Sequence, residues 1–86
     1  MKKLVELDES EGLQKLMGER VTLLCCNYFY TGKLIGVNDS CVLLQNPAIV
    51  YETGDWDKKE WADAQNLPCS EIYVQTAAIE SFGVLK

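Results

Sequence analysis

The sequence predicts one mainly β domain, in which a short helix precedes five short, strongly bent antiparallel strands that form a small open or closed barrel. The chain has 86 residues, of which 48% are hydrophobic, enough for a single core. Apolar residues alternate with a period of two over most of the chain, and glycine or polar residues separate the alternating runs. A core this small stabilises a monomer only marginally, which favours an oligomer.

The predicted helix covers residues 8–17. Asp8 and Glu11 form a capping-box pattern at its start, and Gly18 stands where a C-terminal cap is expected. Its apolar face consists of Leu13, Leu16 and Met17.

A hairpin follows, formed by residues 21–26 and 28–37 around Asn27. Gly32 and Gly36 interrupt its second strand at a spacing of four and therefore face the same side of the sheet. Glycine within a strand marks strong bending or a close approach of backbones.

The third strand begins after the polar turn 38–40 and covers residues 41–45. Asn46 and Pro47 are predicted to interrupt this strand or to form a bulge in it before it resumes at 48–53. Proline has no backbone N–H to donate to a neighbouring strand. Two closing strands are predicted at residues 71–76 and 79–85. This order of elements is typical of SH3-like and OB barrels.

Residues 54–70 are predicted to be an insertion between the third and fourth strands. The spacing of Asp57 and Glu60 predicts a single capped helical turn through Trp61 and Ala64. Trp56 and Trp61 lie among acidic residues, which favours packing or a protein interface over base stacking.

The net charge of −5 is unevenly distributed: residues 51–71 contain six acidic and two basic residues and carry −4 of it. This negative charge excludes a broad surface that binds the phosphate backbone of a nucleic acid, but it allows a small local nucleic-acid pocket. No apolar stretch approaches the roughly 20 residues of a membrane span, and acidic residues interrupt the start of the chain. We therefore expect a cytoplasmic protein without a leader and without a membrane partner.

The chain contains four cysteines, no histidine and no CxxC pair. This pattern favours small buried side chains in a reducing compartment over a metal site, and we expect no cofactor. Cys25 and Cys26 have no evident base beside them, so no catalytic residue and no enzyme activity are predicted.

Two stretches carry a resemblance to a known family. The first reads Gly18-x-x-Val21-x-Leu23-x-Cys25, Tyr30-x-Gly32-x-Leu34-x-Gly36-x-Asn38 and Val42-Leu43-Leu44-Gln45-Asn46, and the second runs from Tyr73 to Phe82. In this order they resemble the Sm/LSm family, including its bacterial Hfq branch and an Sm-like group of marine-phage origin. The family usually has Asp at the position of Asn38.

The resemblance implies a single Sm-like domain over residues 1–86, a five-stranded barrel whose last two strands pair with neighbouring subunits. Such pairing satisfies the edge strands and gives a closed ring, here of about five to seven copies. The implied subunit contacts are Ile72, Tyr73, Val74, Ile79 and Phe82, for which packing within the same chain is the alternative interpretation.

The resemblance also implies binding of single-stranded nucleic acid, RNA in preference to DNA, at the inner rim of the ring. The matching turn residues are Asn38, Asp39, Ser40, Thr76 and Ala77. The turns depart from the family pattern, because Ser40 replaces a stacking side chain and the second turn lacks a cation.

The implied role is RNA or DNA processing or regulation. The alternative is a ring-shaped scaffold with a degenerate nucleic-acid site that holds a protein partner through residues 54–70. Tyr28, Phe29 and Tyr30 either stack on bases or pack under the bent sheet.

Overall fold

The computed structural model describes residues 4–5 and 11–86. The described chain forms one short helix and a single antiparallel sheet of six strands. The elements are α1 (Gly12–Lys15), β1 (Arg20–Cys25), β2 (Phe29–Val37), β3 (Cys41–Glu52), β4 (Asp63–Asn66), β5 (Glu71–Gln75), a 3₁₀ turn (Thr76–Ala78) and β6 (Ile79–Gly83). The mainly β class is confirmed, with six strands in place of the expected five.

Helix α1 is a single turn, shorter than the predicted 8–17. Asp8 of the proposed capping box lies outside the described residues. Leu13 and Leu16 pack against the core, whereas Met17 is exposed. The C-terminal cap predicted at Gly18 is wrong, because the helix ends at Lys15 and Leu16 is its cap. Gly18 instead turns the chain into β1 with φ +88°, and its N–H donates to the Leu34 carbonyl of β2 at 2.7 Å.

The β1–β2 hairpin is confirmed, and the predicted irregularity of the third strand is a bulge within one 12-residue strand. Asn46 adopts φ +52°, and its N–H donates to the Ser70 carbonyl at 2.9 Å. The first half of β3 pairs with β5 and the second half with β4. Strands β5 and β4 therefore lie end to end along the same edge of β3.

The helical turn predicted through Trp61 and Ala64 is wrong. Residues Asp63–Asn66 are strand β4, which pairs with Ala48–Glu52 of β3. The second half of β3 would otherwise have an unpaired edge, and strand pairing satisfies those backbone groups. An isolated helical turn offers fewer hydrogen bonds for the residues that it orders.

The buried side chains of the sheet form one cluster, and β2 and β3 approach each other closely at Gly32. A Cβ atom on Gly32 would lie 3.0 Å from the Leu44 Cβ and 3.2 Å from the Gln45 carbonyl oxygen. The close approach predicted for a strand glycine is thus present at Gly32. The buried core residues are Val21, Leu23, Cys25, Leu34, Val42, Leu44 and Val74.

Among residues 4–5 and 11–86 the sheet does not close on itself, because within them β5 pairs only with β3 and β6 pairs only with β1. The 3₁₀ turn Thr76–Ala78 connects these two strands. Each of them therefore keeps one outer edge without a strand partner from the described residues. No helix in the described part of the chain is long and apolar enough to cross a membrane.

Candidate nucleic-acid and subunit interfaces

The β2–β3 turn is built around the side chain of Asn38. Its Oδ1 accepts hydrogen bonds from the Ser40 N–H at 2.8 Å, the Cys41 N–H at 2.9 Å and the Ser40 hydroxyl at 3.1 Å. An amide oxygen that bonds the backbone two and three residues ahead stabilises a tight turn. Asn38 therefore shapes the turn rather than pointing its oxygen at a ligand.

The 3₁₀ turn is bonded directly to this β2–β3 turn. The Thr76 N–H donates to the Ser40 carbonyl at 3.0 Å, and the Thr76 hydroxyl donates to the Asp39 carbonyl at 2.9 Å. The structure thus brings together the two turns that the sequence singled out, although they are almost 40 positions apart. We refer to Asp39, Ser40 and Ala77, which are exposed beside each other, as the rim surface.

The proposed subunit contacts fall into two groups. Val74 is 6% exposed and lies in the core of its own chain, and Ile72 and Ile79 pack partly against that core. Tyr73 is 69% exposed and Phe82 is 41% exposed. Of the five side chains, Tyr73 and Phe82 offer the most apolar surface to a neighbour.

Phe82 is exposed although it faces the core side of the sheet. It pairs with Leu23, which is completely buried, and directly opposed residues project to the same face. The ring of Phe82 is accessible because no strand in the described part of the chain pairs with the outer edge of β6. The end of the sheet therefore leaves core-facing apolar surface uncovered.

A groove of about 320 Å³ lies between the hairpin tip and β5. Tyr28, Tyr30 and Tyr73 line it, and the Tyr28 ring meets those of Tyr30 and Tyr51 edge-on at 6.4 and 6.1 Å. All four tyrosines of the chain thus gather on one surface. Sequence reasoning singled out Tyr28 and Tyr30 for stacking and Tyr73 for a subunit contact, but it missed Tyr51. That side chain reaches the others through the pairing of Phe29 with Val50.

Cys25 and Cys26 also line the groove, but they differ in reactivity. Burial raises the pKa of the Cys25 thiol, with smaller contributions from Glu80 and Cys26. Cys26 is exposed. A thiol with a raised pKa is less ionised at neutral pH and is a poorer nucleophile.

Alkylation of the native protein with iodoacetamide should therefore distinguish the adjacent thiols. At pH 8 we expect Cys26 to react about tenfold faster than Cys25, because only the thiolate attacks. The Cys25 rate should keep rising with pH beyond the ordinary range of a thiol, because burial raises its pKa. Peptide mass spectrometry of timed samples measures both rates, and equal rates in the folded protein would contradict the burial of Cys25.

Within residues 4–5 and 11–86, no group of three or more His, Cys, Asp or Glu side chains is arranged to hold a metal ion. In comparisons with known proteins, the chain matches no protein-family model, no curated protein and no solved structure. A functional proposal for this chain thus rests on its own residues and their arrangement.

Proposed function

We propose that the protein is a subunit of a closed, Sm-like homo-oligomeric ring that binds single-stranded nucleic acid, RNA in preference to DNA, during its processing or regulation. One observation carries the proposal: the two strands with free edges, β5 and β6, are joined by a 3₁₀ turn that is bonded to the β2–β3 turn. The assembly edges and the rim surface therefore belong to one continuous structural unit.

Head-to-tail pairing of β5 with β6 of the next copy would satisfy both outer edges. Each subunit carries one edge of each kind, and a heterologous contact of this type closes into a ring when its rotation divides a full turn. A neighbour at this position would also cover Phe82 and the groove beside β5. Backbone pairing and apolar burial thus favour the same assembly.

Such a ring would repeat the rim surface once in every subunit. Asp39 and Ser40 supply oxygens that accept hydrogen bonds from base amines or from the 2′-hydroxyl of RNA, a group that DNA lacks. A carboxylate does not suit a phosphate, so recognition would rest on base edges and sugars. Weak contacts that are repeated along one nucleic-acid molecule add up to a higher affinity through multivalency.

Charge substitutions at Ala77 test the rim directly, because its side chain is exposed and takes no part in the turn hydrogen bonds. Ala77→Lys should raise the affinity for U-rich or A-rich single-stranded RNA about tenfold and steepen its salt dependence, since each subunit gains a phosphate contact. Ala77→Glu should lower the affinity by a similar factor. Fluorescence anisotropy at matched salt measures both.

Gln65 provides the matched control, because it is exposed on β4, away from the two turns. Gln65→Lys and Gln65→Glu add the same charges and should leave the affinity nearly unchanged. Equal effects at the two positions would indicate general electrostatics, and no effect at Ala77 would remove the rim from the binding site.

The second candidate is a ring-shaped scaffold that holds a protein partner through residues 54–70. It is favoured by Trp56, which is 56% exposed, and by the −4 charge of residues 51–71. Tryptophan is enriched in the energetic centres of protein interfaces. A closed ring that binds neither RNA nor DNA, and that loses a basic protein partner when this segment is shortened, would favour the scaffold.

A further inference from the structure

The two tryptophans of the β3–β4 connection form two walls of a small cage. Their ring centroids are 5.7 Å apart and the ring planes are nearly perpendicular, at 83°. The Nζ atom of Lys86 lies close to both rings, 4.7 Å from the Trp61 centroid and 5.4 Å from the Trp56 centroid. These distances are within the range in which an aromatic face attracts a cation.

The floor of the cage is a set of backbone carbonyl groups. Lys86 Nζ donates to the carbonyl oxygens of Thr53 at 2.7 Å, Asp55 at 2.9 Å and Glu60 at 3.3 Å. A lysine ammonium has three protons, and here each of them has an acceptor. Two aromatic walls and three acceptors match a primary ammonium group. We call this site the amine cage, formed by Thr53, Asp55, Trp56, Glu60 and Trp61.

The loop has its own hydrogen bonds, which do not involve Lys86. The Lys58 N–H donates to the Asp55 carbonyl at 3.1 Å, and the Ala62 N–H donates to the Thr53 carbonyl at 3.4 Å. Gly54, at φ +69°, allows the chain to turn between them. The cage is therefore shaped largely by its own backbone, so it remains suited to a cation when Lys86 leaves.

Lys86 is half-buried, and the hydrogen bonds of its side chain are all made by the ammonium group. Strand β6 ends at Gly83, and Val84 and Leu85, which connect it to Lys86, are 54% and 44% exposed. Movement of these two connecting residues therefore breaks little packing. The carboxylates of Asp55 and Asp57 in the same loop increase the local concentration of cations.

We propose that the amine cage is a binding site for primary alkylammonium groups, with Lys86 as an internal occupant that an external amine displaces. The ligand class includes the lysine side chain of a partner polypeptide and free aliphatic amines. A trimethylated ammonium has no proton to donate, so the three carbonyls select against it. The proposal does not depend on the ring or on nucleic-acid binding.

The test compares the wild-type protein with Lys86→Met, in which an apolar chain of similar length replaces the occupant. The ligands are N-acetyl-lysine methylamide, putrescine, the trimethyl-lysine analogue and the neutral N-acetyl-norleucine methylamide. Only two indole N–H signals are expected in ¹H–¹⁵N NMR spectra, because the chain has two tryptophans. Both signals lie in the cage and report its occupation.

We expect the lysine amide to shift both indole signals of Lys86→Met with an affinity at least about tenfold higher than in the wild type, where the tethered lysine competes at high effective concentration. In the wild type, excess lysine amide should shift the Val84 and Leu85 signals as Lys86 is released. Trp61→Ala in the Lys86→Met background should abolish binding, with the rest of the spectrum retained.

Tighter binding of the lysine amide than of putrescine would assign the cage to a protein lysine, and the reverse order would assign it to a free amine. Equal binding of the norleucine amide, or tighter binding of the trimethylated analogue, would overturn the proposal. No amine binding by folded Lys86→Met, together with no release of Val84 and Leu85 in the wild type, would overturn it as well.

Discussion

Replacing Phe82 by glutamate is expected to prevent assembly of the proposed ring and to leave monomers. Phe82 is core-facing but 41% exposed at the outer edge of β6, where the proposed neighbour would cover it. The substitution removes about 1–2 kcal/mol of apolar burial per interface and places a carboxylate where it loses its hydration. The dissociation constant of each interface should therefore rise at least about tenfold, which native mass spectrometry detects as monomer.

Ser81→Glu is the matched control, because Ser81 is the preceding residue of β6 and projects from the opposite face of the strand. It introduces the same charge into the same edge and should leave the assembly intact. If both variants stay assembled, Phe82 is not at the interface. If both dissociate, the charge on the edge rather than the apolar contact controls assembly.

Replacing Gly32 by valine is expected to destabilise the fold strongly. Even the first added carbon would lie 3.0 Å from the Leu44 Cβ, inside the core and opposite the Asn46 bulge of β3. Overpacking of this kind costs about 1–3 kcal/mol, which for a domain of this size lowers the Tm by about 4–8 °C per kcal/mol. Thermal unfolding followed by circular dichroism, at one fixed protein concentration, measures the shift.

Gly83→Val provides the comparison within the same sheet. A Cβ there would contact only Leu85 Cδ2, at an ordinary 3.7 Å. This variant should keep a Tm close to that of the wild type. An equal decrease of the Tm in the two variants would mean that the β-branched side chain itself, rather than the close approach of β2 and β3, causes the destabilisation.

The parts of the fold that sequence reasoning predicted correctly depend on local signals. The hairpin follows from period-two alternation around Asn27, and the bulge in β3 follows from Asn46 and Pro47, which cannot continue a regular ladder. The close approach at Gly32 has a local signal as well, since glycine is costly in a strand unless space requires it. Such features are encoded within a few residues.

Other features arise from pairings between distant segments and have no local signal. Asp63–Asn66 lacks an alternating pattern and becomes a strand because β3 offers it an edge. The sequence predicts a nucleic-acid contact at Thr76, but it gives no sign that the Thr76 hydroxyl donates to the Asp39 carbonyl across the two turns. The contact of Lys86 with the tryptophans also depends on the folded path of the chain, so periodicity and spacing could not predict it.

Native mass spectrometry of the wild-type protein over a range of concentrations tests the central proposal, closure of a ring through β5 and β6. The ring proposal predicts one dominant closed assembly of about five to seven copies. Open-ended pairing would instead produce a series of assemblies of increasing size. A protein that remains monomeric up to high micromolar concentration would contradict the ring, and the shared rim proposed for nucleic acid would be lost with it.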